Sequence, residues 1–189
     1  MSSELKAIQK TLRENANPNA KVSTEKFIPG VEKMYGVYNP VLNELAKQFK
    51  AGGFELVEEL WNAGALEEKM LAGKLLGKIA KQAPQHAVHL VEKFSAEITN
   101  WAVCDTLGMQ ALKPIVKTHE KEIFALAKKL SKSQNFWQRR LSLVLVEWYT
   151  RNTSSHSEIK KLVKNLKNDE EYYVKKAIVW IEKNLDKGK

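Results

Sequence analysis

At 189 residues with 43% hydrophobic content, the chain suffices for one domain, 1–189, with a core that hides roughly 70% of the unfolded surface. A single cysteine, Cys104, excludes an internal disulfide framework. The opening Met1-Ser2-Ser3-Glu4-Leu5-Lys6 has no basic region leading into an apolar run, so a soluble cytoplasmic protein without membrane attachment is expected. A formal charge of +9 favours a polyanionic partner such as nucleic acid over an acidic protein surface.

Apolar residues recur at i, i+3, i+4 and i+7 nearly throughout and alternating β-branched runs are absent, so every element is predicted helical. In chain order, helices are expected over 2–14, 22–34, 39–50, 53–62, 66–82, 85–94, 96–107, 109–117, 119–130, 135–151, 156–167 and 169–186. Breaks fall at Asn17-Pro18, Asn39-Pro40, Gly52-Gly53, Gly64, Pro84 and Asn152-Thr153-Ser154-Ser155, where side chains compete with helical backbone bonds or cap the next helix. Such short breaks imply antiparallel helix pairs. In helix 66–82, Lys74, Lys78 and Lys81 share one face, which is either a ridge for phosphates or an ordinary solvated surface.

A weak internal repeat organises these helices. Steps of about 35 residues take Leu66 to Trp101 to Phe136 to Tyr172, and Met70 to Asp105 to Arg140 to Lys176. This period belongs to helix-pair arrays of the tetratricopeptide or HEAT type, in which equivalent positions stack on neighbouring helices. Asp105 is therefore expected to face Arg140 across the roughly 8 to 10 Å between adjacent helix axes.

Two readings of that pair stand open. A carboxylate can stabilise the sugar cation that forms as a bond to C1′ breaks, while the guanidinium keeps it ionised and grips a phosphate. The other reading is a structural ion pair between repeats. Trp101, one turn before Asp105, and Trp180 are candidates either for aromatic walls or for core filling. Trp61, Trp137 and Trp148 sit within apolar stretches and are assigned to the core. His86 and His89 have the spacing of metal ligands but lack a third partner nearby, so no metal is expected. Cys104 reads as a buried thiol, and the absence of a P-loop or dinucleotide fingerprint argues against cofactor chemistry.

Five stretches in order carry a likeness to a known family: Tyr35-Gly36-Val37-Tyr38-Asn39-Pro40, Glu59-Leu60-Trp61, Asn100-Trp101-Ala102-Val103-Cys104-Asp105, Asn135-Phe136-Trp137-Gln138-Arg139-Arg140, and Tyr172 through Trp180. Over almost its whole length the chain resembles the DNA alkylation repair family, the HEAT-like alkylpurine DNA glycosylases. The resemblance implies an all-α solenoid that holds duplex DNA in a concave basic groove and releases cationic alkylated purines such as 7-methylguanine and 3-methyladenine. It assigns Trp101 and Trp180 to packing around the deoxyribose, Asp105 to stabilising the sugar cation and positioning water, and Arg140 to the backbone and the aspartate. It also implies DNA contacts from Phe27, Tyr38, Asn39, Arg139, Lys175 and Lys176, with no cofactor, metal or obligate protein partner. Two departures stand out: Phe27 lacks the hydroxyl of the family's usual tyrosine, and Val41-Leu42-Asn43 replaces a common basic position. A non-enzymatic DNA-binding protein and a protein-interaction scaffold are the alternatives.

Overall fold

The protein is described from a computed structural model covering residues 1–188. Local side-chain chemistry starts many of its helices. Ser2 accepts the Leu5 amide to open α1 (Ser3–Glu14), and Asn17 accepts the amides of Asn19 and Ala20 to open α2 (Pro18–Phe27), with Pro18 in the first turn. There follow α3 (Asn39–Gln48), α4 (Gly53–Ala63), α5 (Leu66–Ile79) and α6 (Pro84–Ser95). Asn100 caps α7 (Trp101–Thr106), which runs on through a π turn at Leu107–Ala111 and a tight turn at Lys113–Ile115. The remaining helices are α8 (Glu120–Leu130), α9 (Phe136–Leu145), α10 (His156–Leu166) and α11 (Tyr172–Lys187).

No strand occurs among the described residues, and the helices form two layers. α3, α5, α7 with its π turn, α9 and α11 pack in succession as one layer, while α4, α6, α8 and α10 back them, with α1 against α4. The 35-residue register is borne out directly: Leu66, Trp101, Phe136 and Tyr172 are the first residues of α5, α7, α9 and α11. One apolar cluster runs between the layers from Leu5 to Leu185. Close approach within the first layer depends on missing side chains. A Cβ on Gly77 would come within 2.4 Å of the Gln110 carbonyl oxygen, and one on Gly108 within 2.4 Å of Val144 Cγ1. The backing layer is laced by ion pairs from Glu58 to Lys93, Glu92 to Lys129 and Lys128 to Glu158, each joining one helix to the next. Being exposed, each contributes at most about 1 kcal/mol.

The structure corrects several expectations. The second helix starts at Pro18 and ends at Phe27, so the expected 22–34 helix gives way to an extended strap from 28 to 38. The cause is Glu67, which is buried and accepts the amides of Tyr35 at 3.0 Å, Gly36 at 2.7 Å and Val37 at 3.0 Å. Its neighbour Glu68 accepts the Tyr35 hydroxyl and the Gln9 amide, and burial, reinforced by the bond to Glu68, pushes the Tyr35 phenol up to about 12. Ile28, Val31 and Met34, whose spacing suggests a helix, instead pack against the core from the strap. Helices expected over 96–107 and 109–117 are one continuous winding from Trp101 onward. The expected 135–151 helix ends at Leu145 and tightens to a 3-10 turn at Glu147–Arg151. This tightening rotates Trp148 off the apolar stripe of α9, since each residue turns about 120° there. Trp148 is accordingly not a core residue: it is half-buried, its indole N–H donates to the Met109 carbonyl at 3.0 Å, and Lys113 and Arg151 lie over its ring at 4.8 and 5.2 Å. Trp61 and Trp137 are buried as expected, Trp61 stacking on Phe94 at 4.3 Å.

Replacing Glu67 by alanine leaves three strap amides without an acceptor. Because bonds to a charged group contribute about 1.5 to 3 kcal/mol and an unpaired buried donor costs as much, Glu67→Ala lowers stability by on the order of 3 kcal/mol. Urea unfolding of the two proteins measures the difference, and limited proteolysis should cut the variant first between 28 and 38.

Candidate active site

The first turns of α7, α9 and α11 converge beside the end of α2. A cleft of about 690 Å³ lies there, walled by Ser23, Thr24, Lys26 and Phe27 from one side and Trp101, Arg140, Tyr172, Tyr173 and Lys176 from the other. Trp101 is fixed at the edge because its indole N–H donates to the Phe27 carbonyl at 2.9 Å, a bond that closes α7 onto the end of α2. Phe27 itself is 61% exposed. An aromatic series continues along the helix starts, Phe136 to Trp137 at 4.8 Å, Trp137 to Tyr173 at 4.9 Å and Tyr173 to Tyr172 at 5.1 Å.

Asp105 and Arg140 meet as their repeat positions demand. Arg140 Nε donates to one carboxylate oxygen at 3.1 Å and Nη2 to the other at 2.9 Å, a bidentate fork, while Nη1 donates to the Tyr173 carbonyl at 2.8 Å. The guanidinium is buried, whereas the Asp105 side chain keeps 28% of its exposure. Burial raises the Asp105 pKa above its ordinary 3.8, and the bonds and charge of Arg140 oppose that rise without cancelling it. Cys104, next in sequence, is buried as expected, and burial pushes its thiol well up, so it is no nucleophile in this setting.

The other candidates divide. Phe27 and Lys176 share the cleft with Trp101 and Arg140, and the Lys176 ammonium lies 5.2 Å from the Tyr172 ring centroid. Trp180 sits one turn beyond Lys176 on α11, half-buried against the core and outside the cleft's lining. Lys175 is exposed. Tyr38 is exposed at the start of α3, and Asn39 lines a second cleft. Arg139, expected at the DNA backbone, is instead turned inward. Its Nε donates to Asp169 at 2.5 Å and Nη2 at 3.3 Å, and Nη1 donates to the carbonyls of Ser133 and Gln134, which ties α9 to the loop before α11. Asp169, whose pKa is lowered overall, gains from that contact although burial pulls the other way. Sequence reasoning missed Tyr173 and the α2 residues Ser23, Thr24 and Lys26. Tyr172 was already flagged by the repeat, but nothing in the period says that α2 folds over the helix starts.

The second cleft, about 990 Å³, lies between α3, α5, the π turn and Trp148, and is lined by Asn39, Asn43, Lys47, Lys74, Lys78, Gln110 and Lys113 among others. Lys74, expected on a ridge or a solvated face, is only 6% exposed. Its ammonium donates to Asn43 Oδ1 at 2.8 Å and Gln110 Oε1 at 3.3 Å, and burial, then the charge of Lys78, holds it below the ordinary lysine range. No group of three or more His, Cys, Asp or Glu residues with metal-site geometry occurs among the described residues, and His86 instead packs edge-on against Phe54.

Fold and site together define a helix-pair repeat protein in which a guanidinium lining an aromatic cleft clamps a carboxylate that is not itself among the lining residues. The chain matches the family described as DNA alkylation repair enzyme over residues 8–187, nearly its whole length, and belongs to that family. It is thus a protein of DNA alkylation repair, with DNA as its substrate. Comparison with curated proteins finds no match. No helix among the described residues is long and apolar enough to cross a membrane.

The raised Asp105 pKa has a defined sign. A carboxylate that binds its proton more tightly when folded contributes stability below its unfolded pKa, and loses it as pH rises through the higher folded value. Removing the opposing charge with Arg140→Met moves the protonation midpoint of Asp105 further up. A carboxyl carbon NMR titration of both proteins reads this, and an unchanged midpoint would show that the guanidinium does not tune the acid.

Proposed function

We propose that the protein is a DNA glycosylase that hydrolyses the N-glycosidic bond of cationic alkylated purines, of the 7-methylguanine and 3-methyladenine type, in duplex DNA, as the first step of base excision repair. The single observation that carries this reading is the bidentate Asp105–Arg140 pair, whose guanidinium lines the cleft walled by Trp101, Phe27 and Tyr172 and whose carboxylate keeps part of its exposure. As the C1′–N bond breaks, its electron pair leaves with the base, which departs neutral because it was already cationic. The sugar is left as an oxocarbenium ion, and the partly exposed Asp105 carboxylate faces that charge and orients the water that adds to C1′, whose surplus proton passes by way of the carboxylate to solvent. An acid to protonate the leaving group is unnecessary, which fits a cleft lined by the cations Lys26, Arg140 and Lys176 and by no carboxylic acid.

In this reading Trp101 packs the deoxyribose, and Trp180 extends that wall from α11. Arg140 holds the carboxylate ionised and oriented, and its burial makes the orientation rigid. Lys175, Lys176, Tyr38 and Asn39 meet the DNA backbone, with Phe27 against the damaged strand. Arg139, engaged by Asp169, does not. A second reading takes Asp105–Arg140 as purely structural, and the Arg140 bond to the Tyr173 carbonyl favours it, since the guanidinium thereby ties three successive repeats.

One substitution separates the two. Unit charges about 4 Å apart at an effective dielectric near 20 attract by roughly 4 kcal/mol, so Asp105→Asn should slow base release on the order of 10³-fold. Release of 7-methylguanine from alkylated duplex, measured under single turnover, checks it. Equal release by both proteins, or none by either, overturns the glycosylase.

A further inference from the structure

Lys74 is a cation without a countercharge. It is 6% exposed, and its two hydrogen-bond partners, Asn43 Oδ1 and Gln110 Oε1, are neutral amide oxygens. Taking an ammonium out of water without an opposing charge costs several kcal/mol, and one exposed carboxylate, Glu44, lines the same cleft, already paired with Lys47 at 2.7 Å. The other ionisable groups on that cleft, Lys47, Lys78 and Lys113, are cations. Two amide oxygens use two of the three ammonium N–H groups, which leaves a third for whatever enters. The ring of Trp148 offers no stacking platform, since Lys113 and Arg151 both lie over it.

The geometry points to a preformed phosphate seat: we infer that Lys74, held by Asn43 and Gln110 and flanked by Lys78 and Lys113, receives one phosphodiester phosphate of the bound duplex. This deepens the glycosylase reading and rests on it for the identity of the polyanion. Lys74 stands one turn further along its helix than the position equivalent to Asp105, and one helix over. That sets the backbone positions of Lys74 and Asp105 roughly 10 Å apart, a fixed offset between a backbone grip and the reacting sugar. A rigid amide cradle suits this task, because an ammonium whose position is set before binding loses little freedom on contact. A protein partner with acidic side chains would satisfy the same charge but has no reason to match a single buried ammonium at depth.

The test uses unmodified duplex, so that it does not depend on base release. Lys74→Met is expected to weaken duplex affinity about tenfold and to lower the slope of log affinity against log salt by about one. Thermal melting of the free variant should rise, because an uncompensated buried charge has been replaced by an apolar chain of similar length. A lowered melting temperature with unchanged affinity and slope marks Lys74 as structural and overturns the seat. So does polyglutamate competing as well as DNA at equal charge. Lys78→Gln, an exposed change in the same cleft, should lower the slope in the same direction whether or not Lys74→Met folds, and an unchanged slope there also counts against the seat. If wild type releases no alkylated base yet Lys74→Met still loses duplex affinity and slope, the seat stands and the glycosylase falls.

Discussion

One guanidinium joins three repeats. Arg140 on α9 reaches back to Asp105 on α7 with two parallel hydrogen bonds and forward to the Tyr173 carbonyl on α11 with a third. In an array whose units otherwise touch only their neighbours, this bridge fixes the relative height of three helix starts, and the cleft is made of those starts. The bridge is possible only because α7 and α9 come close, and Gly108 against Val144 permits that approach. Geometry at the carboxylate is therefore a property of helix packing rather than of any loop. The carboxylate is thereby held in one orientation by two parallel bonds from a buried guanidinium.

The two layers treat charge differently. Along the backing layer, cations and acids pair helix by helix, as with Glu58 and Lys93 or Lys128 and Glu158. On the other layer, three acids are withdrawn, Glu67 and Glu68 buried by the strap and Asp105 taken by Arg140, while Glu44 stays exposed beside Lys47 and Lys78, Lys113, Lys175 and Lys176 are exposed as well. The chain carries a formal charge of +9, which agrees with a family whose substrate is DNA.

Much of this was legible in the sequence, and for a physical reason. Helix starts recur at a fixed step, so Leu66, Trp101, Phe136 and Tyr172 reveal the repeat, and the same step one turn later brings Asp105 to Arg140. What the pattern hides is where backbone donors find acceptors. Ile28, Val31 and Met34 have helical spacing, yet the Glu67 carboxylate draws the neighbouring amides into an extended strap, a choice set by a residue thirty or more positions away. Arg139 and Arg140 are adjacent and look alike in sequence, but a step of about 100° around the helix sends one to Asp169 and the other to Asp105. Trp148 shows the same limit, since its apolar surroundings in sequence do not reveal that the chain tightens beneath it.

The strap also changes what kind of object the repeat array is. Thr99 bonds to the Gly30 carbonyl and Trp101 to the Phe27 carbonyl, contacts that span 69 and 74 residues in sequence. Nearest-neighbour arrays can nucleate at any unit and spread, but these closures cannot form until the middle helices are already stacked. The wall that α2 gives the cleft is consequently held by bonds that reach across most of the array, so the cleft is a product of the whole stack and not of any single repeat.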